Sequence, residues 1–398
     1  MNKLLFILIL CLVQTFSTDA QERDSITFRT QKDVIDILRN IFNLDKKKFD
    51  STRLNRKVQF SFVPSAATAP GGGRAIVTAF NAAFFLGDQS TTSLSAVTFT
   101  PWFTFDGKFV LPFRNMIWLP NDFLFWRGDT RFMVYPQYTW GLGGRNDKEN
   151  KALLNYNYLR FNHSLLKKVG RFFFLGAGYN VDYHFNVRLD GDSTDITDIP
   201  IFDYELKKQS VSTGPQFNIM IDTRKNSINP SDGFYFQADY RFNIKSLGST
   251  TDWQSIYIDV RKYIPFEKKR QNLLALWAYY WSVVSGNAPY LDLPSIGWDP
   301  SNKSGRGFQQ NRYKSRHLVN GEIEYRRDIT KNGLWGFVLF ANLNAVSEYY
   351  GGHFTYWHPA GGAGVRIKFN KISRSNIAVD FGMSKDYMGV YLSLGEFF

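Results

Sequence analysis

Cysteine is nearly absent from the chain, which has a single one, Cys11, close to the N-terminus. It lies in a signal-peptide pattern, in which Lys3 precedes an apolar stretch of about ten residues, too short to span a bilayer. We assign residues 1–20 to the signal peptide, so the mature chain is expected to contain no cysteine. Disulfide bonds and thiolate metal sites are thereby excluded.

Long apolar runs, linkers and catalytic motifs are also missing after the signal peptide. No segment is apolar for long enough to form a transmembrane helix, and no Pro/Ser-rich linker divides the chain. The five histidines are scattered without HExxH spacing. Neither a GxSxG motif nor a phosphate-binding loop is present. We therefore expect a protein that is not an enzyme and that needs no cofactor.

Aromatic residues are plentiful, at 17% of the chain, and are spread over its whole length. From residue 57 onward, apolar side chains alternate with polar or small ones. Along one such stretch, Trp335, Phe337 and Leu339 share one face, whereas Asn342 lies on the other. An apolar face opposite a mixed one, kept over about ten residues, is typical of a strand between lipid and a lumen.

The fold class predicted from this pattern is all-β, a 16-stranded antiparallel transmembrane β-barrel over residues 57–398. An even strand count is the one that such barrels require. Short turns follow even-numbered strands, so a first strand that starts on the periplasmic side places all the long loops outside. The predicted strands cover residues 57–64, 74–87, 93–106, 108–120, 122–140, 154–167, 171–189, 208–224, 233–245, 250–264, 272–286, 315–329, 333–347, 357–370, 374–385 and 388–398.

The charge balance is basic, with a formal net charge of +13. No basic helix or RNA-binding signature groups the lysines and arginines, which argues against a nucleic-acid partner. Scattered basic residues suit the rims and lumen of a barrel that faces phosphate-rich lipid head groups. We therefore expect the bacterial outer membrane as the location, and its lipid, including lipopolysaccharide, as a partner.

Ahead of the barrel, residues 21–56 are expected to form a short periplasmic segment with one helix, 31–44. Its apolar residues lie at helical spacing. Thr30 is the expected N-cap, with Asp33 as the acidic half of a capping box. We expect this helix to pack under the barrel mouth, and docking of a partner protein is the alternative.

Three short motifs occur in order along the predicted barrel. The loop between strands eleven and twelve contains Gly305, Arg306, Gly307 and Phe308; the turn after strand eight contains Asp222, Arg224, Pro230 and Gly233; the last strand contains Tyr391 and ends at Phe398. Together they resemble the BamA/TamA superfamily of outer-membrane assembly and secretion barrels, the bacterial surface antigen family. Because the residues before 57 leave no room for the usual POTRA repeats, the resemblance implies a member that lacks them.

The resemblance implies that the tip of the loop, at Arg306, folds back into the lumen. A guanidinium there loses water and needs a carboxylate partner. Alternation along strand twelve turns Glu322 and Glu324 inward and Ile323 towards lipid. Glu324 matches the Glu-aromatic pattern of the family and is the expected main partner, with Glu322 as the alternate.

One position departs from the family pattern. Strand thirteen carries Asn342 where the family usually has an aspartate, so one fewer charge is expected around the arginine, although Asn342 can still accept a hydrogen bond. Gly305 and Gly307 permit a tight loop tip, and Phe308 is expected to pack against the wall. A merely structural tether, with no gating role, is the alternative interpretation of this loop.

A second acidic cluster lies in the loop after strand seven. Asp190, Asp192, Asp195 and Asp198 are oxygen donors of the kind that bind Ca²⁺, although EF-hand spacing is absent. A calcium ion in this outer loop is the only metal that the sequence suggests. Acidic outer loops without a metal are the alternative.

The resemblance also implies a barrel that closes poorly between its first and last strands. Strand one is expected to be short and to end at Pro64, whereas strand sixteen is expected to be long and to reach Phe398 at an aromatic girdle. Such a seam could open sideways and pair with a client strand. The first hypothesis is therefore an accessory role in outer-membrane protein insertion, with other assembly components as partners. The alternatives are a passive channel or transporter plugged by loop 287–314, or a scaffolding barrel, for which a homo-oligomer stays open.

Overall fold

The computed structural model describes residues 31–43, 58–68, 74–189, 206–224, 226–267, 271–349 and 351–398, with the backbone alone at 63–68. The predicted signal peptide and the acidic cluster at 190–198 lie outside these residues. In the described part, no helix is both long and apolar enough to span a membrane.

The described chain forms one antiparallel sheet of 18 strand segments and one α-helix, α1. The strands are β1 Val58–Thr68, β2 Arg74–Phe84, β3 Ser95–Phe99, β4 Trp102–Thr104, β5 Phe109–Trp118, β6 Leu124–Val134, β7 Gln137–Thr139, β8 Ala152–Lys168, β9 Phe173–Leu189, β10 Ser210–Asp222, β11 Gly233–Asn243, β12 Trp253–Pro265, β13 Asn272–Gly286, β14 His317–Asp328, β15 Trp335–Val346, β16 His358–Asn370, β17 Ser375–Ser384 and β18 Met388–Leu394.

The 18 segments correspond to sixteen strands, as predicted, because two of the strands are each interrupted and counted as two segments. Both β3 and β4 pair with β2 and β5, so they are two halves of one line that is interrupted before Trp102. Both β6 and β7 pair with β8, and Pro136 separates them. Proline has no amide hydrogen to donate to a ladder, and Pro101 stands at the first interruption as Pro136 does at the second.

The two faces of the strands differ as their sequence alternation predicts. On β14, Asn320, Glu324 and Arg326 are buried in the lumen, whereas Ile323 is 44% exposed on the outside. On β15, Leu339 is exposed. The outer face is thus the apolar one, and the inner face carries the charged side chains.

Helix α1, Val34–Ile41, is shorter than the predicted helix 31–44. Its N-cap is Asp33, which forms a capping box with Asp36. The predicted cap, Thr30, lies outside the described residues. The local hydrogen bonds of Asp33 start the helix there, and they also orient the two aspartates towards the barrel.

The acidic side of α1, and not its apolar stripe, contacts the barrel. The Lys371 N–H donates to Asp33 Oδ2 at 2.9 Å, and Lys371 Nζ lies 2.8 Å from Asp36 Oδ2. The side chains of Ile41 and Phe42 are 65% and 68% exposed. The helix therefore docks on the barrel, as predicted, but through polar and ionic contacts of its aspartates. It lies at the end of the barrel that carries the turns 329–334 and 371–374, which we name the short-turn end.

The first and last strands both differ from their predicted lengths. The first strand, β1, continues through Pro64 to Thr68 and has 11 residues. The last strand, β18, ends at Leu394 and has 7 residues, so it does not reach Phe398. The predicted difference in length between the two strands of the seam is therefore reversed, because β1 is longer than β18. The two strands approach each other, and no ladder joins them among the pairings of the described strands.

Candidate functional site

The loop between β13 and β14, residues 287–316, folds into the lumen, as the resemblance implied. Its tip is buried: Arg306 is 0% exposed and Phe308 is 7% exposed. Ile296, further back in the loop, is also fully buried. Phe308 packs edge-on against Tyr313 of the same loop, with the ring centroids 5.9 Å apart. The loop is therefore part of the interior of the barrel.

Arg306 contacts three buried carboxylates. Its Nη2 donates to Glu322 Oε1 and to Glu324 Oε2 on β14, and its Nη1 donates to Asp380 Oδ2 on β17. The predicted partner Glu324 and the predicted alternate Glu322 thus bind the guanidinium together. A charge-assisted fork of this kind stabilises a buried arginine that would otherwise be strongly destabilising.

Asp380 is the partner that the sequence prediction missed. We expected one fewer charge around Arg306 because Asn342 is neutral, and this expectation was wrong. Asp380 supplies the third carboxylate from another strand, and Asn342 Nδ2 donates to the Arg306 carbonyl at 2.8 Å. The signal was present in the sequence, since Asp380 is a single inward acid between the outward-facing Val379 and Phe381.

Aromatic rings cover both sides of the Arg306 guanidinium. The carbon Cζ lies 3.7 Å from the ring centroid of Phe340 on β15 and 4.3 Å from that of Phe397 near the C-terminus. A guanidinium stacked on a ring face is attracted by the quadrupole of the ring, and the attraction grows when water is excluded. Arg306 is therefore fixed in orientation by ring faces as well as by carboxylates.

Two further arginines extend the charge cluster towards the short-turn end. Arg326 Nε donates to Glu324 Oε1 at 2.5 Å. Arg366 Nε donates to Glu396 Oε2 at 2.7 Å, and its Nη1 donates to Asp380. The carboxylates that hold Arg306 are thus shared with a second row of buried arginines, and the cluster is one network.

The two glycines beside Arg306 have the backbone conformation that a tight loop tip was predicted to require. The φ angles of Gly305 and Gly307 are 75° and 95°, in the left-handed region. A Cβ on Gly307 would also lie 2.9 Å from the carbonyl O of Met383. The Gly307 N–H donates to the Tyr391 hydroxyl at 2.8 Å, which connects the tip to β18.

The opposite wall of the barrel holds the same loop at a second place, which the sequence analysis did not predict. Arg131 on β6 donates through Nη1 to Asn302 Oδ1 at 2.7 Å and through Nη2 to the Pro300 carbonyl at 2.6 Å. Arg114 on β5 donates to the Ser301 carbonyl at 2.9 Å. The loop therefore crosses the lumen and is fixed on both walls.

The turn motif after β10 has a structural role at the short-turn end. Arg224 forms an ion pair with Asp222, with Nη2 and Oδ2 2.8 Å apart, and stacks on Tyr235 at 4.1 Å. Pro230 is buried, and Gly233 is the first residue of β11. The same turn reaches under the lumen and contacts the C-terminal residues, since the Glu396 N–H donates to the Ile228 carbonyl at 3.4 Å.

The C-terminal residues lie inside the barrel, and the prediction that Phe398 ends a strand at an aromatic girdle was wrong. Phe397 and Phe398 are 6% and 4% exposed. The ring of Phe398 lies 5.2 Å from that of Trp277, centroid to centroid. Arg326 Nη2 donates to the Phe398 carbonyl at 2.8 Å. The end of the chain therefore belongs to the same cluster as Arg306.

Among the described residues, no group of three or more His, Cys, Asp or Glu side chains is arranged to hold a metal ion. The predicted calcium ligands Asp190, Asp192, Asp195 and Asp198 lie outside the described residues, so their arrangement stays a prediction. The chemistry of the lumen site is ion pairing and hydrogen bonding.

Comparison with known protein families identifies the family of this barrel. The model of the Omp85 superfamily domain matches residues 70–396, almost the whole barrel. The chain belongs to the Omp85 superfamily. The resemblance to the BamA/TamA barrels is thereby confirmed. Barrels of the Omp85 superfamily are outer-membrane proteins, which agrees with the expected location.

Solved structures show the same fold. BamA from Haemophilus ducreyi lacking POTRA domains 1–3 has a TM-score of 0.51 and 13% identity, over 89% of this Omp85 chain and 76% of that one. CdiB from Acinetobacter baumannii has a TM-score of 0.55 and 13% identity, over 85% and 60%. CdiB from Escherichia coli has a TM-score of 0.50 and 9% identity, over 85% and 66%. The chain thus spans less than two thirds of each CdiB chain.

At these identities the likeness shows the fold alone. No sequence among the curated proteins matches the chain.

Proposed function

We propose that this Omp85 chain takes part in the insertion or assembly of outer-membrane proteins as an accessory barrel. The short-turn end, with α1, faces the periplasm in this proposal. Family membership supports the general role in assembly or secretion. The observation that carries the proposal is the seam between β1 and β18.

The seam has unequal sides. With 7 residues against 11, β18 is too short to pair along the whole of β1. A strand edge without a full partner adds another strand readily, because its backbone N–H and C=O groups are available. Such an edge inside a membrane is costly, so a barrel that keeps it has a use for it. Pairing with a client strand is the use that we propose.

A crosslink across the seam tests this role directly. In a Cys11→Ser background, Phe62→Cys on β1 and Val390→Cys on β18 place two thiols on the outer face. Phe381→Cys with Val390→Cys is the matched control, because Phe381 and Val390 are register partners within the β17–β18 ladder. The control constrains the same residue of β18 without closing the seam.

The readout is the amount of folded outer-membrane protein in cells whose only copy is the variant. We expect the oxidised seam pair to lower this amount, a reductant to restore it, and the control pair to leave it unchanged. Normal assembly with a quantitatively oxidised seam would contradict the proposal.

A second candidate is a channel or transporter that the loop plugs. The observation in its favour is that the loop is held by Arg306 on one wall and by Arg131 on the other. Deletion of residues 287–314 would then raise the conductance of the barrel in planar bilayers. A conductance rise together with normal assembly in the crosslinked variant would favour the channel.

A further inference from the structure

A groove of about 470 Å³ lies where β9 ends and β10 begins, at the end of the barrel opposite the short-turn end. Tyr183 of β9 and Val211 of β10 are register partners, and both line it. Thr250, in the turn before β12, also lines the groove, and its Oγ1 accepts a hydrogen bond from the Val211 N–H at 2.8 Å. The volume lies within the range of about 300–1,000 Å³ that is usual for ligand pockets.

The groove faces outward, at the edge of the lipid-facing surface. On β9, Asp182 is fully buried in the lumen, whereas Leu175 and Tyr179 are 43% and 41% exposed. Alternation places Tyr183 on the same outward row, and its ring stacks on that of Phe185, with the centroids 4.8 Å apart. The row from Leu175 to Phe185 has the length of about 9–11 residues over which a strand crosses a bilayer. Tyr183 and Phe185 therefore lie at the level of an aromatic girdle, where lipid head groups begin.

The polar side chains around the groove are donors and carry positive charge. Lys207 and Lys208 line it, and both are exposed. The Tyr183 hydroxyl donates to Gln209 Oε1 at 3.3 Å, so the amide N–H groups of Gln209 can serve another acceptor. Among the described residues, no carboxylate lines the groove. Two ammonium groups and an amide donor, without an acid beside them, are complementary to an anion.

The level of the groove in the membrane indicates which anion it meets. Next to it, towards the short-turn end, the outward row of β10 is apolar, with Phe217 and Ile219 58% and 42% exposed. An anionic lipid can therefore lay its acyl chains along this row and place its head group beside Lys207 and Lys208. With the short-turn end in the periplasm, this head group belongs to the outer leaflet, where lipopolysaccharide carries phosphates on its sugar head group.

We propose that the groove is a binding site for the phosphorylated sugar head group of lipopolysaccharide. Ammonium groups bind phosphate as point charges, and the apolar stems of the lysines can lie along the barrel while the charges stay in the head-group layer. The site lies on the wall opposite the seam, because β9 and β10 are the seventh and eighth of the sixteen strands. It goes beyond the proposed function, with which it shares the orientation of the barrel but not the assembly activity.

Acetylation of lysines measures occupancy of the groove on the full chain. The purified protein in detergent is treated with an N-hydroxysuccinimide ester of acetate, with and without lipid A that carries two phosphates, and mass spectrometry follows each lysine. At a lipid concentration about ten times Kd, modification of Lys207 and Lys208 should slow roughly tenfold. Lys167 and Lys331, exposed lysines at the short-turn end, should be modified at an unchanged rate. Equal rates at Lys207 and Lys208 with and without lipid A would overturn the site.

Two further ligands separate the lipid head group from its parts. Inorganic phosphate supplies the anion without the lipid, and lipid A without its phosphates supplies the sugars and acyl chains without the charge. We expect neither to protect the two lysines at the concentration at which lipid A does. Protection by inorganic phosphate would make the groove a site for free phosphate, and protection by the dephosphorylated lipid would make it an apolar contact. Either result would overturn the proposal.

A double variant, Lys207→Met with Lys208→Met, removes both charges and keeps the apolar stems. Native mass spectrometry of a lipid A titration should show binding weakened about tenfold or more, because each basic residue near an anionic lipid surface contributes roughly a fivefold factor. The matched control, Lys167→Met with Lys331→Met, removes the same charge from the short-turn end and should leave the affinity unchanged. Heat-modifiable migration on gels verifies that each variant barrel is folded. An equal loss of affinity in the two folded double variants would show a general effect of net charge and would overturn the site.

Discussion

Arg306 and Asp380 are 74 residues apart in the sequence, yet Arg306 Nη1 donates a hydrogen bond to Asp380 Oδ2 inside the lumen. The same guanidinium binds Glu322 and Glu324 on β14. The loop tip therefore joins β14 to β17, the neighbour of the last strand. A change in the position of the loop must alter the contacts of the strands next to the seam.

Asp380 should matter more for stability than Glu322. Asp380→Asn leaves both Arg306 and Arg366 with one fewer carboxylate, and we expect a loss of about 3 kcal/mol in the free energy of unfolding. Glu322→Gln affects Arg306 alone and should cost less. Urea unfolding in detergent, followed by tryptophan fluorescence, gives both values. If Asp380→Asn lost no more unfolding free energy than Glu322→Gln, this would contradict the shared role of the Asp380 carboxylate.

The fold was predictable because the pattern that specifies it is local. Alternation along single strands, such as that around Ile323, gave the faces and the strand positions. The pairing of Arg306 with Glu324 was predictable because a short motif carried the resemblance. The third carboxylate, Asp380, was not predicted as a partner of Arg306, because the family pattern names residues on other strands only.

The C-terminal tail was beyond prediction for a different reason. Glu396, Phe397 and Phe398 continue the composition of β18, so the local pattern favours a strand to the last residue. The buried arginines Arg326 on β14 and Arg366 on β16 bind these residues inside the lumen. A tertiary contact of this kind overrides local propensity and is invisible in one strand.

The two walls of the lumen should hold the loop independently. Arg131→Ala and Arg306→Ala each leave the loop fixed on the other wall, so each single variant should conduct little in planar bilayers. The double variant should conduct more than the two single variants together, because it weakens the hold on the loop at both walls at once. A double variant no more conductive than either single one would show that a further contact holds the loop.

Docking of the loop should strengthen at alkaline pH through Lys303. Burial, together with repulsion from Arg114 and Arg261, lowers the pKa of Lys303 to about 8 from its usual 10.5. Between these values the docked loop binds fewer protons than the released loop, so docking gains stability as the pH rises through this window. Below pH 8, Lys303 is charged in both the docked and the released loop, so its effect on the stability of docking no longer changes with pH.

A spin label at Ser301→Cys in the Cys11→Ser background reports this effect. The mobile fraction of the spectrum should fall as the pH is raised from 8 to 10.5. In Lys303→Met the mobile fraction should be small and should not depend on pH over this range. A mobile fraction that rises with pH in the unaltered loop would contradict the sign of the linkage.

Helix α1 should be anchored by its first aspartate. Asp33→Ala removes the N-cap and the bond to the Lys371 amide, and a lost cap costs about 1 kcal/mol. Hydrogen exchange across Val34–Ile41 should become faster. Asn40→Ala, in the last turn of the helix, is the control and should leave the exchange rates at the N-terminal end unchanged. Equal effects of both variants would exclude a specific role for the cap.

The central claim is that the loop tip controls the seam. Spin labels at Phe62→Cys on β1 and Val390→Cys on β18, in the Cys11→Ser background, measure the distance across the seam by double electron–electron resonance. With Arg306 in place, we expect one narrow distance distribution. With Arg306→Ala, in a barrel that still folds, the distribution should broaden towards longer distances, and identical distributions in the two proteins would contradict the account.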